Sequence, residues 1–259
     1  MKNFLKLLSI ITIVFITTVQ SNSAEKIDYL KTDWSFKGLF GKFDRGSLQR
    51  GYQVYTEVCA SCHSMKYLSY RNLSEKGGPE FSVEQVKAIA ASFEVTDGPN
   101  DDGEMFERPA KLSDKFVMPY ANVKEAQAAN GGAYPPDMSV LAKARSGGVD
   151  YIYSVLLGYE DPPSGVTLDD GVYYNKYMYG NNIKMSQPLY DGSVEYNDGT
   201  EATKEQMAKD VATFLMWTAE PHLEARHKMG FKAILYLTIL TILVYFSMKK
   251  IWSRIESEV

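Results

Sequence analysis

Residues 59–63 read Cys-Ala-Ser-Cys-His, which uses both cysteines of the chain and places one of its three histidines directly after the second. Thiols at positions i and i+3 of a helical turn lie on one face, where they can form thioethers with the two vinyl groups of one haem. The histidine that follows then lies beneath the iron as its proximal ligand. The motif therefore predicts one haem c, attached covalently through Cys59 and Cys62, with His63 on the iron.

Three other interpretations of the motif need features that the chain does not offer. A structural zinc site needs four ligands, and only His222 and His227 remain, far along the chain beside an apolar segment. A thioredoxin-like redox pair is expected inside an alternating strand and helix pattern, which is not visible in this sequence. A structural disulfide between the two cysteines leaves His63 unexplained. Haem attachment accounts for all three residues.

The N-terminal residues have the pattern of a secretory signal peptide. Lys2 and Lys6 precede an apolar stretch at residues 7–18, and small polar residues follow it. This pattern predicts a signal peptide over residues 1–24, and a retained membrane anchor is the alternative. Under both interpretations the part of the chain that carries the haem motif is exported from the cytoplasm. Because the segment has no arginine and is not amphipathic, it indicates a bacterial periplasm rather than import into a mitochondrion.

A second apolar segment, at residues 231–248, is interrupted only by Lys232 at its edge. At the rise of an α-helix it covers about 27 Å, close to the ~30 Å hydrocarbon core of a bilayer. We therefore predict a transmembrane anchor helix over residues 229–250, in contact with membrane lipid; a buried core helix is the alternative. The signal peptide sets the orientation. Residues 25–228 then form a periplasmic haem domain, and residues 251–259 form a cytoplasmic tail of a single-pass protein of the bacterial inner membrane.

Apolar residues at helical spacing predict five helices in the haem domain. The first begins at Gly46 or Ser47 and continues through the haem motif, and the next three cover residues 81–91, 137–144 and 150–157. The last begins at a capping box formed by Thr203 and Gln206 and is interrupted at Pro221. The last of them is expected to pack against the first, which is the usual closure of a c-type haem domain.

Glycine and proline interrupt residues 97–136 so often that no regular element is expected there. Long loops in compact domains are often functional, and around a haem they commonly cover the ring; an ordinary surface insertion is the alternative. Acidic residues run through this part of the chain, at Glu94, Asp97, Asp101, Asp102, Glu104 and Glu107. They either steer a basic electron carrier by electrostatic attraction or form a solvated acidic loop.

Five phrases of the sequence resemble the cytochrome c1 family, the haem subunit of the cytochrome bc1 complex. They are EVCASCHSM at 57–65, DGPNDDGEMF at 97–106, PPD at 135–137, ARSGGVDY at 144–151, and AKDV at 208–211 leading to WTAEP at 217–221. Together they are specific to that family, and the similarity runs from about Tyr29 to the tail. The resemblance implies a mainly α fold: a class I cytochrome c-like haem domain with long irregular insertions, plus one C-terminal transmembrane helix.

The resemblance also implies residues that hold the haem from other parts of the chain. Spacing alone does not choose the sixth iron ligand among eleven methionines. The family ligand is a Met in an apolar-x-Met-x-x-Pro context, which the stretch IKMSQP around Met185 matches, with Met178 as second candidate. Arg145 matches a family residue that pairs with a haem propionate, although a solvated surface arginine is the alternative. Asn130 and Tyr151 match further propionate contacts.

Ligation by His63 and Met185 places a soft thioether opposite an imidazole, which favours ferrous iron and raises the reduction potential. Because both axial positions are filled by the protein, peroxidase or oxygen chemistry is not expected. The resemblance implies that the chain takes single electrons from a Rieske iron–sulfur protein and passes them to a soluble or anchored cytochrome c. Quinol oxidation then belongs to cytochrome b within a dimeric complex, and this chain is an electron-transfer subunit that is not itself catalytic.

Two alternatives come from other classes of protein. A free-standing membrane-anchored c-type cytochrome would shuttle electrons between respiratory complexes, and it would be expected to lack the long irregular segment. A haem enzyme would need an open iron position with an acid–base group beside it, and His222 and His227 lie too close to the membrane segment for that role. Neither a Walker motif nor a dinucleotide fingerprint is present, so no nucleotide site and no nucleic-acid partner are expected.

Overall fold

The computed structural model describes residues 27–256, so the predicted signal peptide at 1–24 and the end of the tail lie outside the described residues. The described part is mainly α, as predicted. Its helices are α1 (Arg45–Val54), α2 (Val83–Ala91), α3 (Val123–Ala129), α4 (Leu141–Ala144), α5 (Val149–Leu157), α6 (Lys204–Ala219) and α7 (Leu223–Glu256). Two small antiparallel pairs join β1 (Glu94–Asp97) to β2 (Phe106–Pro109) and β3 (Tyr173–Tyr174) to β4 (Asn182–Ile183).

The first and last helices of the haem domain, α1 and α6, pack directly on each other, as the sequence predicted. Gly51 makes the close approach possible, because a Cβ at this position would lie 2.1 Å from the backbone oxygen of Asp210. Beside this contact Arg50 donates two hydrogen bonds to the Asp210 carboxylate, at 2.8 and 3.2 Å. Leu48 and Phe214 are fully buried on the two facing helices. The backbone contact, the ion pair and the apolar packing together fix how α1 crosses α6.

Helix α6 begins and ends where the sequence indicated, but its predicted capping box forms only in part. The Thr203 side chain accepts a hydrogen bond from the backbone N–H of Gln206, which is a normal N-cap. The Gln206 side chain does not return to the cap and instead donates to Asp210 at 3.0 Å. The charged acceptor wins because it is already held in place by Arg50. At its other end α6 stops at Ala219, just before Pro221.

The bounds of the other predicted helices agree with the structure to different degrees. Helix α2 starts two residues later than predicted because Ser82 caps it. Helix α5 starts one residue earlier than predicted and ends at the predicted residue. The helix predicted over 137–144 is wrong in its first half, where only Leu141–Ala144 is helical. The reason is Asp137, whose carboxylate accepts hydrogen bonds from the backbone of Lys66 and of Ser139 and so holds the chain in a turn.

The prediction that residues 97–136 contain no regular element is wrong in two places. Strands β1 and β2 form a hairpin in register from Glu94 opposite Pro109 to Asp97 opposite Phe106, and helix α3 follows it. Arg108 stabilises the hairpin by binding Asp97 across the strands. The sequence hides the hairpin because its strands are four residues long and largely exposed, which leaves no alternation of apolar residues.

Helix α7 extends beyond the domain as a long apolar rod. An 18-residue window within Leu223–Arg254 has a mean hydropathy of 1.9, and none of that window is buried. At 34 residues the helix is about 51 Å long, more than the ~30 Å hydrocarbon core of a bilayer needs. Part of the extra length lies at the start of the helix, where Leu223 is buried in the haem domain. In the same turn Glu224 accepts hydrogen bonds from the backbone N–H of Phe43 and from Arg45.

The crossing of α1 and α6 leaves no room for a side chain at Gly51. We expect Gly51→Ala to lower the free energy of unfolding by about 1–3 kcal/mol, because the added methyl group meets a backbone oxygen that cannot rotate away. The measurement is urea unfolding of the full-length protein in mild detergent, followed by circular dichroism. Gly46→Ala in the same helix is the control, since its Cβ meets only side-chain ends, at 3.3 Å. Equal stability of the two variants would contradict the close-contact argument.

Candidate haem site

The haem motif lies on one tight turn at the end of α1. The helix widens into a π-helical turn over Tyr55–Cys59, in which the N–H of Ala60 donates to the Tyr55 carbonyl at 2.8 Å. Such π-turns inside α-helices are often found at functional sites. The N–H groups of Cys62 and His63 then both donate to the Cys59 carbonyl, at 3.1 and 2.9 Å. The two thiols and the imidazole therefore come from positions 59, 62 and 63 of a single turn.

The His63 imidazole is held neutral and with a defined orientation. Its Nδ1 lies 2.9 Å from the Pro136 carbonyl oxygen. Because a carbonyl oxygen only accepts, Nδ1 carries the proton and Nε2 keeps the lone pair that a metal ion needs. Burial lowers the pKa of the His63 imidazole, which keeps the ring neutral. This donor arrangement fits a haem iron.

The two cysteines also fit covalent attachment to haem. Both are free, with Cys59 buried and Cys62 half-buried. Burial, and to a smaller extent the neighbouring Cys62, raises the pKa of the Cys59 thiol to about 12, so its sulfur is neutral. A thioether is equally uncharged and needs no compensating cation there. Among residues 27–256, no three His, Cys, Asp or Glu side chains come together to hold a metal ion, so the structural zinc interpretation finds no support.

The segment Pro136–Asp137–Met138 is hydrogen-bonded to the end of the haem motif. Besides the Pro136 carbonyl on His63, the N–H of Met138 donates to the Ser64 carbonyl at 2.8 Å. The Ser64 hydroxyl donates to the Asp137 carboxylate at 2.8 Å. Burial opposes the charge of this carboxylate, but its hydrogen bonds outweigh burial and lower the pKa of Asp137. The PPD phrase thus orients the His63 ring through a backbone carbonyl, a role that its side chains did not indicate.

Met185 lies just after β4 and is half-buried. The Tyr159 hydroxyl donates to the Met185 carbonyl at 3.0 Å, and the Lys184 ammonium donates to the Gly131 carbonyl at 3.2 Å. The first contact holds the backbone at Met185, and the second links the side chain of the preceding residue to the loop after Asn130. The sulfur of Met178, in contrast, accepts a hydrogen bond from the Tyr151 hydroxyl at 3.5 Å. Tyr159 was missed at the sequence level, because a single tyrosine in a loop carries no spacing signal.

The three predicted propionate residues lie in different surroundings. Arg145 is exposed, and its hydrogen bond goes to the neighbouring Ala144 carbonyl at 3.3 Å, which leaves the guanidinium accessible. Asn130 donates to the Tyr120 hydroxyl and to the Ala126 carbonyl. The structure brings the loop after Asn130 to the Met185 loop through Lys184, and it brings Tyr151 to Met178. No hydrogen bond joins Arg145, Asn130 and Tyr151 to one another among residues 27–256, so their roles stay predictions.

A Cys-x-x-Cys-His turn with an oriented neutral imidazole, on a helical domain that continues into one long apolar helix, defines a membrane-anchored c-type haem protein. Comparison with known proteins identifies the class more closely. The model of the Cytochrome C1 family matches residues 34–255. The protein named Cytochrome c1 from Rhodospirillum rubrum is 46% identical over 242 residues, which cover 87% of this chain and 88% of that protein.

Two further relatives agree with this match. The mitochondrial heme protein Cytochrome c1-2 of Solanum tuberosum is 47% identical over 244 residues, which are 94% of this chain and 93% of the relative. Cytochrome b/c1 of Bradyrhizobium diazoefficiens is 53% identical over 239 residues. These are 85% of this chain but 35% of that protein, so the chain spans about a third of the relative's length. The chain therefore belongs to the cytochrome c1 family.

Membership of the family confirms the resemblance seen in the sequence and the prediction of haem c. The chain is the haem electron-transfer subunit of a cytochrome bc1 complex, and the family is anchored in the membrane. The long apolar helix α7 is the candidate anchor. The haem, when bound, supplies reversible one-electron redox chemistry at its iron. Cys59 and Cys62 would attach it, and the Pro136 carbonyl orients the His63 imidazole that would bind its iron.

We propose Met185 as the sixth ligand, and two methionine substitutions test this assignment. Met185→Leu should lower the reduction potential by a sizeable part of the ~0.8 V range that axial ligands span, because a thioether stabilises ferrous haem. Haem should stay covalently attached. Met178→Leu is the matched control and should leave the potential nearly unchanged. The measurement is a redox titration followed by visible spectroscopy, and the reverse pattern would move the assignment to Met178.

Proposed function

We propose that this chain accepts single electrons from a Rieske iron–sulfur protein and passes them to a cytochrome c, on the periplasmic side of a bacterial inner membrane. The observation that carries the proposal is the orientation of the His63 imidazole, which suits it as one axial ligand; Met185, from a separate segment, is proposed as the other. His63 is oriented by the Pro136 carbonyl, and Met185 is fixed through the Tyr159 hydroxyl. A haem held on both faces by the protein exchanges electrons with little rearrangement and offers no place for a substrate.

The proposal divides the chain into parts with different tasks. A signal peptide at 1–24 exports the haem domain at 25–228, an anchor at 229–250 holds it on the membrane, and a short tail at 251–259 lies in the cytoplasm. One apolar helix among residues 27–256 supports a single anchor. Quinol oxidation then needs cytochrome b, and the name Cytochrome b/c1 of the Bradyrhizobium relative supports such a partner. The complex is proposed to be a dimer in contact with membrane lipid.

The β1–β2 hairpin offers a surface for a basic electron acceptor. Asp101, Asp102 and Glu104 are exposed at its tip, next to Met105, which is 60% exposed. Of the acidic residues in this run, Asp97 is neutralised by Arg108 across the strands. The net negative charge of the run is therefore smaller by one than the sequence analysis assumed. An exposed apolar side chain among uncompensated carboxylates fits a partner that is steered by charge and docks through a small apolar contact.

The assembly can be tested by a reduced-minus-oxidised visible spectrum of the tagged full-length protein, purified from bacterial membranes in mild detergent. We expect b-type haem bands to accompany the c-type band and both to be reduced by added quinol, because the haem subunit should remain bound to its quinol-oxidising partner. Co-purification of c-type haem alone, in several mild detergents, would favour the free-standing carrier instead. Absence of any c-type haem would contradict the site itself.

The acidic hairpin predicts a rate that depends on salt. Neutralising Asp101, Asp102 and Glu104 to their amides should slow the reduction of a basic cytochrome c on the order of tenfold at low ionic strength. The effect should vanish in high salt as the charges are screened. Stopped-flow kinetics over a range of salt concentrations measures both. Asp161, Asp169 and Asp170, exposed in another loop, provide a control variant with the same loss of charge; equal slowing by the control would show a net-charge effect without a docking site.

A further inference from the structure

The main chain around Met185 is held by very few contacts. The last strand before it, β4, ends at Ile183, and residues 185–188 belong to no helix or strand. Among residues 27–256, the main chain of 185–188 takes part in a single hydrogen bond, which the Tyr159 hydroxyl donates to the Met185 carbonyl at 3.0 Å. The position of the Met185 main chain therefore depends on one tyrosine.

Tyr159 is itself attached to the core of the haem domain. It lies two residues after the end of α5 at Leu157, and α5 packs on α6. Gly158, between the two, has no room for a side chain, because a Cβ there would lie 2.6 Å from the side chains of Asn175 and Tyr177. The hydroxyl donor is therefore carried by a closely packed part of the domain, not by a free loop.

Asn175 joins this donor to the hairpin that leads to Met185. Its side chain is fully buried and donates to the Val155 carbonyl of α5 at 2.8 Å. Its backbone forms an antiparallel bridge with Tyr159, and its N–H donates to the Asn181 carbonyl, just before β4, at 3.0 Å. The hydroxyl and the start of the Met185 segment are thus both tied to one buried residue, which sets the distance between them.

A methionine ligand depends on such a contact more than a histidine ligand does. The His63 ring is oriented directly, through a hydrogen bond from its second nitrogen. A thioether has no hydrogen to donate and accepts only weakly, so no comparable bond can orient it. The methionine side chain also has three rotatable bonds and packs loosely by nature. The direction of the Met185 sulfur must therefore be set through the main chain, where the Tyr159 hydroxyl acts.

We propose that Tyr159 is a positioning residue for the Met185 ligand: its hydroxyl holds residues 185–188 in the conformation that keeps the thioether on the iron and other ligands off it. The hydrogen bond exists only while this segment is in place, and it is lost when the segment moves away with its sulfur. The inference rests on Met185 as sixth ligand, as proposed above, and adds what keeps that ligand bound. It does not depend on the identity of the electron donor or acceptor.

The test measures the binding of added imidazole to the ferric c-type haem of the full-length protein, purified with its complex in mild detergent. Imidazole binds only after the thioether leaves, so its affinity reports how often the segment opens. Tyr159→Phe keeps the ring and should raise this affinity on the order of fivefold, the factor that one net hydrogen bond is worth. The reduction potential should change little, because the segment stays closed most of the time. Tyr153→Phe is the matched control, since its hydroxyl on α5 makes no hydrogen bond among residues 27–256.

A double-mutant cycle separates positioning of the ligand from a general loosening of the domain. In a Met185→Leu background no thioether remains to be released, so adding Tyr159→Phe should leave the imidazole affinity unchanged. A further rise in that background, an equal rise in Tyr153→Phe, or an unchanged affinity in Tyr159→Phe alone would overturn the proposal.

The ligand itself is checked separately, through the far-red absorption band of a ferric iron–thioether bond. Met185→Leu should abolish this band, and Tyr159→Phe should retain it. Loss of the band in Met185→Leu, together with an unchanged imidazole affinity in Tyr159→Phe, would overturn the positioning role and leave the ligand assignment in place. Retention of the band in Met185→Leu would overturn the ligand assignment and, with it, the role of Tyr159.

Discussion

The contact between α1 and α6 is the constraint on which the haem site depends, because the haem motif is the direct continuation of α1. Gly51 lets the two backbones touch, and the fully buried Asp210 holds Arg50 across them. A buried pair of this kind costs about 3–5 kcal/mol when one partner is lost. The pair therefore favours one rotation of α1 about its axis and one position of α1 along α6. Because the cysteines follow directly at the end of α1, this contact also sets where their thiols lie.

The haem site is assembled from backbone groups as much as from side chains. The Pro136 carbonyl orients His63, the Met185 carbonyl receives the Tyr159 hydroxyl, and the Gly131 carbonyl receives Lys184. These contacts join segments that are far apart in sequence to the two proposed axial ligands. A site held in this way has little freedom to rearrange, which suits a protein whose task is to change charge by one electron and nothing more.

Much of the fold and of the candidate site could be predicted from the sequence, where the signal was local. The cysteine spacing predicted the covalent attachment, and the apolar periodicity predicted α1, α2, α5 and α6. The prediction failed where the local backbone conformation is set by side-chain contacts between residues that are far apart in the sequence. Asp137 stops a helix through contacts to Lys66, and Arg108 stabilises a hairpin whose strands carry no apolar pattern. Tyr159 and Lys184 were invisible, because their role depends on which loop the fold brings beside them.

The hydrogen bond between His63 and Pro136 has a chemical consequence for the iron. A carboxylate in this position would pull the Nδ1 proton away and give the ring imidazolate character, which increases donation to the metal and stabilises the ferric state. An uncharged amide oxygen pulls much less. The chain therefore supplies a comparatively weak donor on the proximal side, and the acceptor is a main-chain atom that no side-chain substitution at position 136 removes. With His63 as the proximal ligand, the path of the backbone would therefore favour the reduced state of a bound haem.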